Sequence, residues 1–145
     1  MKKLSLLALL LTLLLLLTSC SKGLPNSADS LVEKMKDKGY SSQQTIGEEN
    51  ITGYVEEYGL TLDDILGIAH AETKNENPND IRLNMGTFIF CKDESTATSL
   101  KQSIEASLIE QFGIVNNPHY RNMTVEQKGN VTFYGTKAIW IEANE

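Results

Sequence analysis

Gly86-Thr87-Phe88-Ile89-Phe90-Cys91-Lys92-Asp93 decides the fold of this chain. Thr87 to Cys91 are β-branched, aromatic or apolar without a break, the composition of a strand. Strand side chains alternate between faces, so a run that is apolar at both parities predicts a central strand covered on both sides. A helix follows over 94–112. Asp93 or Ser95 caps its start, and Gly113 ends it. Ala97, Leu100, Ile104, Leu108 and Phe112 recur on one face of that helix, joined by Ala106 and Ile109.

The flanking sequence extends this pattern. Ile65 to Thr73 alternates as a second strand, with His70 and Glu72 on one face. Asn75 to Asp80 contains Pro78 and several asparagines, a loop signal between that strand and the 82–92 segment. Met123 and Val125 alternate with polar residues, Lys128-Gly129-Asn130 makes a tight turn, and Val131 to Tyr134 runs back as a hairpin. Gly135 is expected to end that strand. The tail, Lys137 to Glu145, reads as a short helix capped by Thr136 or as a further strand, with helix the better fit.

Upstream, Ala28, Leu31, Val32 and Met35 fall on one helical face that begins near Ser27 or Asp29. Ser30 and Glu33 have capping-box spacing, and Gly39 supplies a stop. Ser41 to Thr45 is polar and is expected to be a loop. Residues 48–58 place Ile51, Tyr54, Val55 and Tyr58 on a helical face, with Glu48 and Glu49 at its positive start and Gly59 at its end. Ile, Thr, Tyr and Val also suit strands and Gly53 weakens a helix, but helix is favoured. The expected fold class is α+β. A small antiparallel sheet of about four strands packs against two or three helices in a single domain over 28–145.

The first twenty residues carry a different message. Lys2 and Lys3 precede an apolar run from Leu4 to Leu17 that is interrupted only by Ser5, Ala8 and Thr12, and Leu17-Thr18-Ser19-Cys20 follows. A basic start, a short apolar core and small residues before a cut make a secretory signal. The core is shorter than the ~20 apolar residues of a spanning helix. The tetrapeptide resembles the lipobox of bacterial lipoproteins. That resemblance implies a signal peptide over 1–19 and a diacylglycerol on the thiol of Cys20, which becomes the first residue. Residues 20–27 then read as the lipidated cysteine and a short tether, rich in turn-forming residues. Ser21 stands where an aspartate signals inner-membrane retention in two-membrane bacteria. The implied location is the extracytoplasmic face of the cell membrane, or the outer membrane where two are present. The 86–93 stretch, the helix after it and Gly129 to Thr136 also resemble small uncharacterised lipoproteins of Gram-positive bacteria. That group transfers no catalytic residue.

Charge and cysteine usage narrow the function. Loss of Lys2 and Lys3 with the leader leaves eleven basic and nineteen acidic residues, a formal charge of −8. Nucleic-acid binding needs basic stripes, so a nucleic-acid partner is not expected. With Cys20 lipidated, Cys91 is the other cysteine of the chain, so no internal disulfide forms. Its apolar strand predicts a buried structural thiol, and Lys92 should point to the opposite face.

No G-x-S-x-G elbow, phosphate-cradling glycine loop or Cys/His nucleophile pair occurs. No catalytic residue, cofactor or metal is assigned. Asp63-Asp64 and Glu56-Glu57 read as solvated acidic pairs, and His119 lies far in sequence from His70. Three sequons, at Asn50, Asn122 and Asn130, are chance matches in a bacterial chain. Tyr120, Tyr134 and Trp140 are the aromatic leads, with core packing favoured for Trp140. The leading expectation is a membrane-anchored, non-enzymatic binding or interaction module. It is held by the lipid on Cys20 and takes an unidentified protein or small-molecule ligand. One alternative is an enzyme or metal-dependent factor using His70 and nearby carboxylates. The other is a structural envelope component.

Overall fold

The computed structural model describes residues 23–73, 84–112 and 122–145. The expected loop at 75–80, Arg82, Gly113, His119, Tyr120 and the whole Leu17–Cys20 lipobox lie outside them. Tyr40–Gln44 (β1), Ile65–Thr73 (β2), Met85–Cys91 (β3), Met123–Lys128 (β4) and Val131–Thr136 (β5) form one sheet in the order β1-β2-β3-β5-β4. Every neighbouring pair is antiparallel. Ala28–Asp37 (α1), Glu48–Tyr58 (α2), Glu94–Phe112 (α3) and Lys137–Asn144 (α4) cover it. The fold is α+β, with five strands rather than about four, and four described α-helices rather than two or three.

The additional strand is β1, where polar sequence predicted a loop. It pairs with β2 from Tyr40 opposite Thr73 to Gln44 opposite Ala69. As an edge strand it needs no apolar face on its open side, and polar residues there discourage pairing with other chains. Only Ser42 of β1 is buried, and its hydroxyl donates to the His70 carbonyl at 2.7 Å. The tail forms the favoured short helix, α4, with Ile139 and Ala143 buried.

β3 lies at the centre as its composition requires. Phe88 and Phe90 point to one face, while Ile89 and Cys91 point to the other. On the first face α1 and α4 pack over Ala69, Ala71, Phe88, Phe90, Val131 and Phe133. Trp140 lies partly buried against them, its ring centroid 5.3 Å from that of Phe133, so its role is core packing. On the second face α2 and α3 pack over Ile65, Ile68, Ile89 and Cys91. The Thr132 hydroxyl, fully buried, donates to the Ala97 carbonyl at 2.8 Å and ties α3 to the sheet.

Local signals place the helix ends. Ser27, rather than Ser30, caps α1 by accepting from the Ser30 N–H. Asp93 caps α3 by accepting from the Thr96 N–H at 2.7 Å. Ala97, Leu100 and Ile104 of α3 are buried and Leu108 is partly so. Ala106 and Ile109, expected to join them, are exposed. The sequence also suggested that Gly135 ends β5, yet the strand continues through it to Thr136. Gly135 pairs with Gly86 on one side and Thr124 on the other. The glycine is there for closeness: a Cβ on it would sit 2.4 Å from the Met85 carbonyl oxygen.

Candidate functional site

His70 is the titratable group that borders two neighbouring clefts of this domain. It lies in β2 on the α2/α3 face, in a cross-strand row with Gln43 of β1, Thr87 of β3 and Tyr134 of β5. One cleft, of about 250 Å³, is bordered by Ser41, Gln43, His70, Glu72, Met85 and Thr87. A second, of about 490 Å³, is bordered by Gln43, Gln44, Thr45, Asn50, Tyr54 and His70. His70 and Gln43 form the wall between the two.

Both nitrogens of the imidazole are engaged. Nε2 lies 2.7 Å from the Thr45 hydroxyl, and Nδ1 lies 3.0 Å from the Thr87 hydroxyl. A neutral imidazole donates through one nitrogen and accepts through the other, and a threonine hydroxyl suits either role. Burial disfavours the charged ring and holds the His70 pKa below 6.5. The Tyr54 ring stands over the site, its centroid 6.5 Å from that of His70. Burial, then the hydrogen bond with Tyr134, pushes the Tyr54 phenol well above its ordinary value. Burial does the same to Tyr58. These phenols stay protonated at neutral pH and serve as hydrogen-bonding groups.

The carboxylates do not converge here. Glu72 shares the smaller cleft with His70, as strand alternation implied. Asp63 and Asp64 lie beyond the opposite end of β2, roughly 20 Å along the strand at ~3.3 Å per residue. Asp64 instead closes the 3₁₀ turn Leu62–Asp64, accepting from the Thr61 N–H and hydroxyl, and pairs with Lys92. The Lys92 hydrogen bond and those from Thr61 hold its carboxyl down at about 2. Glu56 and Glu57 are exposed on α2. Among the described residues, no three His, Cys, Asp or Glu side chains are grouped to hold a metal ion.

Cys91 is fully buried and unpaired. Burial pushes its thiol up to about 11, leaving little thiolate at neutral pH. The Cys91 backbone is clamped by Asn130, whose carbonyl accepts from its N–H and whose amide donates to its carbonyl. This thiol is structural, as its apolar strand implied.

Sequence reasoning paired His70 with Glu72 but missed Thr45, Thr87, Gln43 and Tyr54 as its surroundings. Thr87 was the one readable partner, because cross-strand neighbours follow once the β2–β3 register is known. The lining offers amide, hydroxyl and phenol groups with a single carboxylate, which suits an uncharged ligand rich in hydroxyls or amides.

The His70 clamp makes stability depend on pH. Between the lowered folded pKa and the unfolded value of ~6.5, the unfolded chain binds more protons, so this contribution is lost as pH falls through that window. Asp64, ionised in both states above about pH 5, adds nothing there. Denaturant titration at pH 7.5 and 5.5 should show a larger loss for the wild type than for His70→Gln. Equal losses would remove the clamp from the account.

No protein-family model, curated protein or solved structure matches this chain. No helix among the described residues is long and apolar enough to cross a membrane.

Proposed function

We propose that this chain is a lipid-anchored extracytoplasmic binding module, held on the membrane through Cys20 and presenting the His70 face to its ligand. The observation that carries this reading is Leu17-Thr18-Ser19-Cys20 behind a short apolar core, followed almost at once by a folded α+β unit. One lipid chain holds a protein only marginally at ~0.8 kcal/mol per buried methylene, whereas two or more hold it stably. A non-catalytic role is supported by an imidazole whose two nitrogens are already bonded to threonines, with one carboxylate at hand. The shared cleft of His70 and Glu72 is the feature that favours the enzymatic alternative.

Cell fractionation tests the anchor. Cys20→Ala should leave the membrane fraction and appear in soluble fractions, and the wild type should not. A variant that stays with the membrane as fully as the wild type, together with a wild-type chain on which mass spectrometry finds no lipid, would sink the lipid anchor. Pull-downs from the same membranes in detergent address the His70 face. Capture that survives Gln43→Glu combined with Tyr54→Ala would place the ligand elsewhere.

A further inference from the structure

The chain entering the domain is docked rather than free. The Gly23 carbonyl accepts from Lys34 Nζ at 2.9 Å, and the same ammonium donates to the Ala143 carbonyl at 2.8 Å. Lys34 thereby joins the incoming chain, α1 and the C-terminal end of α4. Leu24 packs, half-buried, against the apolar cluster beneath α1 and α4. Leu24, Pro25 and Asn26 border the β4–β5 turn at Lys128, Gly129 and Asn130. Lys128 in turn donates to Asn144 Oδ1 at 3.0 Å. The chain therefore enters on the α1/α4 side of the sheet, beside the end of α4.

Cys20 stands three residues before Gly23. Consecutive Cα atoms are ~3.8 Å apart, so the two residues are separated by at most about 11 Å. A headgroup region is itself roughly 5–8 Å thick. A diacylglycerol on Cys20 would then keep the α1/α4 side, where the chain enters, within that reach of the headgroups. Ile141, 47% exposed on the outer side of α4, puts an apolar side chain on that same layer. His70 and its clefts lie on the other face of the sheet, beyond a helix layer about 10 Å thick.

We propose that the α1/α4 layer, at the C-terminal end of α4, is the surface on which this domain rests against lipid headgroups, and that the His70 face is turned away from the bilayer. The inference rests on the lipidation reading of Cys20. It deepens that reading by assigning one face to the membrane and the other to the ligand.

The test uses the full chain purified from membranes, its mass measured first. Nitroxides are placed through Ile141→Cys and Glu72→Cys, both exposed positions, while buried Cys91 stays unlabelled. Each protein is reconstituted in phosphatidylcholine vesicles doped with a nickel-chelating lipid. Relaxation by nickel should be several-fold stronger at position 141 than at position 72. Equal relaxation, or a stronger effect at 72, would overturn the orientation. A Gly/Ser spacer of about twelve residues between Lys22 and Gly23, reaching roughly 20 Å, should shrink the difference. A difference unmoved by the spacer would overturn the short connection as its cause. A measured mass without lipid would sink the anchor itself. A lipidated mass with equal relaxation would sink the orientation alone.

Discussion

Gly135→Ala is expected to destabilise the domain by about 3 kcal/mol or more, through backbone strain and overpacking together. Gly135 holds φ at +152°, a conformation that side chains rarely adopt. The added Cβ would meet the Met85 carbonyl oxygen at 2.4 Å and the Gly86 Cα at 2.5 Å. Both are backbone atoms of the central strand, so neither yields without disturbing the β3–β5 pairing. The ring of Phe133 closes the same space, 2.9 Å away. Gly129→Ala is the control. That residue also has positive φ, but a Cβ there meets nothing within 4 Å. Only the left-handed backbone then costs, about 1–2 kcal/mol. Denaturation midpoints of the two variants would settle the comparison. Equal midpoints would mean that β3 and β5 do not approach as closely as described.

Ile104→Ala should cost about 2–5 kcal/mol, a large share of the roughly 5–15 kcal/mol that holds a domain together. Ile104 is 1% exposed beneath α3, against the cluster that contains Ile89 and Cys91. Ile109, about 1.4 turns further on, is 61% exposed. Ile109→Ala should therefore shift stability by about 0.5 kcal/mol or less. Glu105→Ala breaks only the Lys101–Glu105 pair on the helix surface, worth about 0.3–0.5 kcal/mol. If Ile109→Ala proves as damaging as Ile104→Ala, α3 packs through a different face.

These contrasts show which features were legible in the residues. The β3 strand announced itself because it is apolar on both faces, and α3 because Ala97, Leu100 and Ile104 recur at helical spacing. The breadth of the α3 stripe was overestimated. Ala106 and Ile109 extend the apolar composition, yet at about 100° per residue they stand roughly 200° and 140° around the helix from Ile104, off the face that meets the sheet, and solvent reaches them. β1 was invisible for the opposite reason. Tyr40–Gln44 is mostly polar because it borders solvent, and its strand character comes from pairing with β2 rather than from its own composition. Gly135 misled because a glycine that ends a strand and one that lets two strands approach look alike in sequence.

The site was legible only in part. Strand alternation put His70 and Glu72 on one face. The threonines that hold the imidazole come from two other strands or their ends, and Tyr54 comes from a helix. Their meeting depends on the register of β1 against β2, and the polar composition of β1 predicts a loop rather than a strand. The acidic pair at Asp63-Asp64 showed the same limit. One of its members is a capping and ion-pairing group for the turn before β2, a role set by Lys92 at the end of β3.

The intact mass of the full-length chain purified from a bacterial expression strain tests the central claim most directly. The account predicts a polypeptide that begins at Cys20 and carries a diacylglycerol on that thiol. A chain that begins at Met1, or one that begins at Cys20 with an unmodified thiol, would contradict it.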